Sequence, residues 1–242
     1  MEQLQNRISI KFLNSYEAHY GYTFIKKSID ISLSLILLIL LFPLLLLILF
    51  IVSVETKENP LFIQKRGLTL TGKIFHIYKI RTLKSEHHKK NIHSETVFIK
   101  PDYYTALTIS GKFLRRTGLD ELPQLINVLL GDMSFIGPRP LSLHDLNLLQ
   151  KNEYNLYRRR ENIKSIPGIS GYWQIFGNRN AGLKNLIELD EYYDSNKCIN
   201  LDIFLMMLTI PVVLFGKHSD AIANSETNKK YATTPDFSLR KK

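Results

Sequence analysis

The feature that most constrains the fold is an unbroken apolar run, Leu35 to Val52, with the sequence LILLILLFPLLLLILFIV. A run of about 18 apolar residues is long enough to cross the hydrocarbon layer of a membrane as a helix. Because every face of this helix would be apolar, a buried core helix is the weaker interpretation. The chain is therefore predicted to contain a membrane helix near its N-terminus.

Pro43 lies in the middle of this run and removes one backbone donor, so the helix is expected to kink or break there. Basic residues stand on both sides, with Lys26 and Lys27 before the run and Lys57 after it. Because positive flanks stay on the cytoplasmic side, these residues favour a re-entrant segment that enters and leaves by one face. A kinked helix that spans the membrane is the competing topology.

The charge balance indicates an anionic partner. The 242 residues include 32 Lys and Arg against 22 Asp and Glu, a formal net charge of +10. Nucleic acid, an anionic membrane face and phosphorylated substrates all suit this charge. No aromatic and basic platform of a known nucleic-acid module supports the first of these. The P-loop, dinucleotide-binding, hydrolase and zincin motifs are also absent from the sequence.

Two adjacent acids, Asp120 and Glu121, precede an apolar stretch of helical spacing, Leu122 to Leu130. Pro123 fits the first turn of a helix, so the acids are predicted at its start, where acids commonly cap free N–H groups. Position alone favours this capping role. The same place also suits a phosphate group. One acid could then be a nucleophile while the other holds a metal, since their side chains would point about 100° apart.

Further segments predict the elements around these acids. Leu61 to Lys65 and Lys73 to Ile80 are strand-like and are separated by glycines, which is typical of a hairpin. The second apolar helix, Leu201 to Phe215, is short for a membrane span and is expected in the interface or the core. Cations near the acids that could stabilise phosphoryl oxygens are Lys112, Arg115, Arg116 and Arg139.

Three motifs resemble, in order and spacing, the bacterial sugar transferases, which are monotopic polyprenyl-phosphate phosphoglycosyl transferases. They are KRGLTLTGKIFHIYKIRTL, LDELPQLINVLLGDMSFIGPRPL and IPGISGYWQIFGN, and the resemblance covers Phe24 to Gly216. It implies an α/β, mostly helical fold with a re-entrant membrane helix-break-helix, Pro43 at the break, and a small cytoplasmic catalytic domain. That domain would contain a short β-hairpin and interfacial amphipathic helices. The implied divisions are an extension (1–24), the membrane helix (25–54), the catalytic domain (55–216) and a disordered tail (217–242).

The family transfers a sugar 1-phosphate from a UDP-sugar to undecaprenyl phosphate and releases UMP. The resemblance implies that Asp120 is the nucleophile, forming an aspartyl-phosphosugar intermediate, and that Glu121 and Asp120 hold Mg²⁺. Lys79, Arg81 and Arg139 match basic positions expected near phosphates. The family has an arginine where this chain has Asn178, and a one-residue slip would restore it as Arg179.

The resemblance also implies partners and a location. The partners are a UDP-sugar, undecaprenyl phosphate and the bacterial inner membrane, with the catalytic domain on the cytoplasmic face and no nucleic acid involved. The implied role is the first membrane step of a surface glycan: exopolysaccharide, capsule, O-antigen or glycoprotein glycan. A membrane-anchored scaffold protein that kept the fold and lost catalysis is the alternative from another class. The sugar, the pathway and the oligomeric state, a homo-oligomer included, are left open by the sequence.

Overall fold

The computed structural model describes residues 2–84, 106–178 and 181–214, with side chains described from residue 21 to residue 211. Its elements are mostly helices with two small sheets, which confirms the predicted α/β, mostly helical class. Arg179 and the predicted tail, 217–242, lie outside the described residues. The helices are α1 (Glu2–Thr56), α2 (Ile109–Thr117), α3 (Gln124–Leu129), α4 (Leu143–Asn152), α5 (Tyr154–Glu161), α6 (Tyr172–Phe176), α7 (Gly182–Asn196) and α8 (Ile199–Leu214). The strands are β1 (Leu61–Gly67), β2 (Ile74–Ile80), β3 (Ser134–Ile136), β4 (Leu141–Ser142) and β5 (Gly168–Ser170).

Helix α1 contains the apolar run, and its part from Gly21 to Thr56 is long and apolar enough to cross a membrane. The membrane helix is thus confirmed in length and composition. Its middle faces outward, since Ile39 and Leu40 are each 69% exposed. The helix continues through Pro43 without interruption, so the predicted break at this proline is absent from the structure. The re-entrant topology stays a prediction.

The predicted hairpin is confirmed. Strands β1 and β2 pair antiparallel from Leu61 opposite Ile80 to Gly67 opposite Ile74, and β4 adds to the other edge of β1. The free edge of β2 is occupied by one side chain of α3. Asn127 donates from Nδ2 to the carbonyl of His76 at 2.7 Å and accepts at Oδ1 from the N–H of Tyr78 at 3.1 Å. This side chain fixes the middle of β2 relative to α3.

A second, parallel sheet joins β3 and β5, with Ser134 opposite Gly168 and Ile136 opposite Ser170. The largest apolar cluster lies between α4, α5, α6 and α7. Its fully buried members include Leu146, Leu149 and Ile187, and it also contains Tyr157 and Trp173. This cluster supports the loop between β3 and β4.

Both ends of the apolar segment of α1 pack against the rest of the chain. Near the C-terminal end, Ile48 and Val52 pack in one cluster with Ile80 and Leu114. They therefore connect α1 to β2 and α2. The side chain of Glu55 also accepts from the N–H of Ile109 at 2.6 Å at the start of α2.

Near the other end, α1 meets the rest of the fold through what we call the Asp202 junction, made of Tyr22, Lys26, Tyr193 and Asp202. The Oδ2 of Asp202 accepts from the Tyr22 hydroxyl and the Lys26 ammonium, each at 2.9 Å. Its Oδ1 accepts from the Tyr193 hydroxyl at 2.7 Å. One turn along α1, Asp30 accepts from the N–H of Phe135 at 3.2 Å. The junction thus links α1 to α7, α8 and β3.

Helix α8 is apolar on two faces. Leu205 is buried in the core, while Phe204, Met207 and Ile210 are exposed on the opposite side. The helix packs against α2, which itself exposes Ile109. The expectation that this segment lies in the core or at the membrane interface fits these two faces.

Candidate active site

The two acids lie in a tight turn between α2 and α3. Helix α2 ends at Gly118, whose φ of 71° lies in the left-handed region that glycine adopts without strain. The chain then forms a 3-10 helix, Leu119–Glu121, closed by a 3.0 Å bond from the Glu121 N–H to the Gly118 carbonyl. With three residues per turn, the neighbouring side chains of Asp120 and Glu121 project about 120° apart. Both residues are only 6% exposed.

The predicted position of the acids at the start of a helix needs a correction. Helix α3 begins at Gln124 with Pro123 as its N-cap residue, so the acids occupy a separate turn before it. The Glu121 carboxylate is paired with the ammonium of Lys79 from β2. In the part of the chain that the structure describes, it makes no hydrogen bond to the first N–H groups of α3. Capping of α3 therefore does not explain why a glutamate is buried at position 121.

The contact between Lys79 and Glu121 brings together two predicted site residues that are 42 positions apart. Both side chains are almost completely buried. A buried ion pair contributes little net stability because removing two charges from water is costly. Buried charged pairs of this kind are frequent at functional sites, where neighbouring charges are arranged for chemistry.

Two predicted arginines lie at the end of β2. The Nε of Arg115 in α2 donates to the hydroxyl of Thr82 at 2.9 Å. Arg81 forms an ion pair with Glu58 at 3.0 Å and donates from Nε to the carbonyl of Asn59 at 2.8 Å. The guanidinium of Arg81 is thus held by the segment that follows α1. A role for either arginine in phosphate binding stays a prediction.

Arg139 lies in the loop Gly137–Pro140, here called the GPRP loop, and is buried. Its guanidinium carbon lies 5.6 Å from the ring centroid of Trp173, within the range of a cation–π contact. The backbone N–H of Arg139 donates to the carboxylate of Asp190 in α7. Its backbone carbonyl accepts from the side chain of Arg160 in α5. Burial raises the pKa of Asp190 to about 6, an effect that the charge of Arg160 opposes.

Comparison with known proteins identifies the chain. A family model described as bacterial sugar transferase matches residues 21–216. The chain belongs to this family. The match confirms the resemblance carried by the three motifs, and it includes the apolar helix, the acid pair and the GPRP loop.

Three relatives of this sugar transferase illustrate the family. An uncharacterized sugar transferase, EpsL, from Bacillus subtilis (strain 168) is 34% identical over 74% of this chain and 82% of its own length. A UDP-glucose:undecaprenyl-phosphate glucose-1-phosphate transferase from Xanthomonas campestris pv. campestris is 36% identical over 65% of this chain. A UDP-N-acetylgalactosamine-undecaprenyl-phosphate N-acetylgalactosaminephosphotransferase from Aeromonas hydrophila is 34% identical over 81% of it. The chain spans only 32% and 45% of the lengths of the last two proteins.

The carboxylates of this sugar transferase fit the Mg²⁺ that the resemblance implies. Among the residues with described side chains, no group of three or more His, Cys, Asp or Glu could hold a metal ion. Mg²⁺ needs no such group, because it is commonly held by one or two carboxylates together with substrate phosphates. Asp120 and Glu121 are the two carboxylates that the resemblance assigns to this ion. Mg²⁺ itself stays a prediction.

Sequence reasoning missed two residues of this site. Arg160 is the last residue of the run YRRR, and the sequence predicts this run only as the charged end of a helix. Asp190 lies in an acidic helix. Arg160 is 0% exposed, whereas Arg158, two positions earlier, is exposed. Its spacing of three from the buried Tyr157 is the one local sign that it faces the core.

Proposed function

We propose that this sugar transferase moves a sugar 1-phosphate from a UDP-sugar to undecaprenyl phosphate, giving UMP and an undecaprenyl-diphosphate-sugar. The observation that carries the proposal is the buried turn of Asp120 and Glu121, with Lys79 against Glu121, next to a helix long enough to enter a membrane. The names of the Xanthomonas and Aeromonas relatives give the same classes of donor and acceptor. The reaction is the first membrane step of a bacterial surface glycan.

The chemistry proceeds in two displacements at one phosphorus atom. A carboxylate oxygen of Asp120 attacks the phosphorus that carries the sugar, and the bond from that phosphorus to the UMP oxygen breaks. An oxygen of the lipid phosphate then attacks the same phosphorus and releases Asp120 as a carboxylate. Mg²⁺ held by the two acids would supply positive charge to the diphosphate. Lys79 pairs with Glu121 and orients its carboxylate, and Arg139 stabilises the phosphoryl oxygens.

A re-entrant path for α1 is part of the proposal. The Asp202 junction and the contact of Val52 with Ile80 and Leu114 hold both ends of the apolar segment on the same catalytic part. A polar domain lies on one side of a membrane, so contact at both ends supports entry and exit by that side. The exposed apolar residues of α8 and α2 would rest on the same membrane face, as large exposed apolar patches commonly do. We place the domain on the cytoplasmic face of the inner membrane, where basic flanks stay.

Cysteine labelling tests this topology. Cys198, the only cysteine of the chain, is exposed at the start of α8. Its labelling reports on which side of the membrane the catalytic part lies. In a Cys198→Ser background, Gly21→Cys and Lys57→Cys report the two ends of the apolar segment. We expect a membrane-impermeant maleimide to label all three sites only after spheroplasts of a bacterial host are permeabilised. Labelling of either end in intact spheroplasts would contradict the re-entrant path.

Release of UMP tests the proposed activity. We expect purified protein in lipid nanodiscs to release UMP from one member of a panel of UDP-sugars when undecaprenyl phosphate is present, with equal formation of lipid-linked product. Because the diphosphate charge needs a cation, removal of divalent metal by EDTA should abolish release, and added Mg²⁺ should restore it. A scaffold protein would release no UMP with any donor. Turnover that continues in EDTA would contradict the role of Mg²⁺ but not the proposed transfer of sugar phosphate.

A further inference from the structure

The backbone of the GPRP loop is fixed by side chains from elsewhere in the fold. Pro138 and Pro140 have no N–H, so Arg139 carries the one donor of these three residues. That donor goes to the carboxylate of Asp190, with distances of 3.3 and 3.4 Å to its two oxygens. The carbonyl of Arg139 accepts from the Nη2 of Arg160. Both backbone groups of Arg139 are therefore held by one pair of side chains.

The two flanking carbonyls are also satisfied. Pro138 accepts from the N–H of Gly168 at 2.9 Å, and Pro140 accepts from the Nη1 of Arg66 at 3.1 Å. Every backbone polar group of residues 138–140 thus has a partner, as buried backbone requires. The loop consequently has little freedom to move the Arg139 side chain.

Arg160 and Asp190 form the centre of this arrangement. Their ion pair measures 2.9 Å, and the two side chains are 0% and 1% exposed. The Nε of Arg160 also donates to the carbonyl of Leu68 at 2.7 Å, which ties the pair to the turn after β1. Burying two charges costs several kcal/mol per ion, and well-packed apolar side chains are often as stable. Stability alone is therefore a weak reason for this pair.

We propose that Arg160 and Asp190 are positioning residues that set the guanidinium of Arg139 against the transferred phosphoryl group. The proposal rests on the proposed function. They hold the main chain of Arg139 on both sides, while Trp173 lies under its guanidinium. A misplacement of about 1 Å in a group that orients a reacting phosphate can cost about 100-fold in rate. A bidentate cation such as arginine depends on direction as well as distance.

The first test compares two aspartates of α7. Asp190→Asn keeps the side-chain size but removes the charge that holds Arg160 and Arg139. Asp194→Asn is the matched control, because Asp194 accepts from the N–H groups of Lys164 and Ser165 and does not touch the GPRP loop. We expect Asp190→Asn to lower kcat/KM for the UDP-sugar by at least about tenfold. Asp194→Asn should stay within about twofold of the wild type.

A double-mutant cycle separates positioning from a structural role. Arg139→Ala alone is expected to lower kcat by about 100-fold to 1,000-fold, as loss of one phosphoryl-stabilising group does, which leaves a measurable rate. If Asp190 acts through Arg139, Asp190→Asn adds no further loss in the Arg139→Ala background. A purely structural role would make the two losses multiply, and that result would overturn the proposal. Wild-type kcat/KM in Asp190→Asn would overturn it as well.

The cycle remains informative in two other outcomes. If Asp190→Asn does not fold, Arg160→Lys replaces it, since lysine keeps the charge but cannot donate at once to Asp190, Leu68 and Arg139 in one plane. The expectation for the cycle is the same. If the wild-type protein transfers no sugar phosphate, the proposed function is wrong. If the wild type is active and the losses of the two substitutions multiply, only the positioning role is wrong.

Discussion

Asp120→Asn is expected to lower the rate of sugar-phosphate transfer by at least about 1,000-fold, because an amide oxygen cannot replace the carboxylate as a nucleophile. Asparagine has nearly the same size and can occupy the same buried 3-10 turn, so the fold should be kept. The measurement is the initial rate of UMP release and of lipid-linked product formation in nanodiscs. Acid quenching with a labelled donor adds a second readout, since the wild type should trap a label on the protein and the variant should not.

A surface lysine away from the turn gives the control for this experiment. Lys151 of α4 is exposed, so Lys151→Gln changes a charge without entering the buried turn. We expect its rate to stay within a few-fold of the wild type. Transfer by Asp120→Asn at a wild-type rate would show that Asp120 is not the nucleophile. Loss of the protein from the membrane fraction would mean that the variant reports folding instead.

Asp202→Ala is expected to destabilise the protein by about 3–5 kcal/mol, the range for breaking a buried ion pair by removing one partner. The substitution leaves the ammonium of Lys26 without its carboxylate, and it removes an acceptor from the hydroxyls of Tyr22 and Tyr193. The contact of α1 with α7 and α8 buries Tyr193 and partly buries Tyr22 and Lys26. Thermal unfolding in nanodiscs, followed by the loss of helical circular dichroism, measures the effect.

Asp132→Ala is the matched control for the junction. Asp132 also pairs with a lysine, Lys73, at 2.7 Å, but the lysine side chain is largely exposed. Exposed pairs contribute about 0–1 kcal/mol, so the control should unfold close to the wild-type temperature. Equal shifts for the two variants would show that the Asp202 junction is no stronger than a surface pair.

The sequence predicted the elements that local patterns encode. The glycines Gly67 and Gly72 punctuate two β-rich runs, and the hairpin follows. The apolar run is uniform enough that its helix needs no further information. The acids were predicted at the start of a helix but lie in a separate 3-10 turn, because α3 begins only at Gln124.

Contacts between distant segments could not be predicted in the same way. Nothing in the local pattern pairs Lys79 with Glu121, or joins the three-residue strands β3 and β5. The run of arginines is a sharper case, since composition describes three equal charges while the fold exposes Arg158 and completely buries Arg160. Helical spacing decides which arginine faces the core, and the core exists only after α7 packs against α5.

The packing of α1 has a consequence for how this protein is made. Val52 and Ile48 cover Ile80, the neighbour of Lys79, and Leu114, so the apolar helix forms one wall of the catalytic core. The helix also precedes every strand that the structure describes. The ribosome therefore delivers the membrane segment before the residues that must fold onto it. A form that lacks residues 2–56 would therefore expose Ile80 and Leu114, part of the apolar surface that packs beside the turn of Asp120 and Glu121.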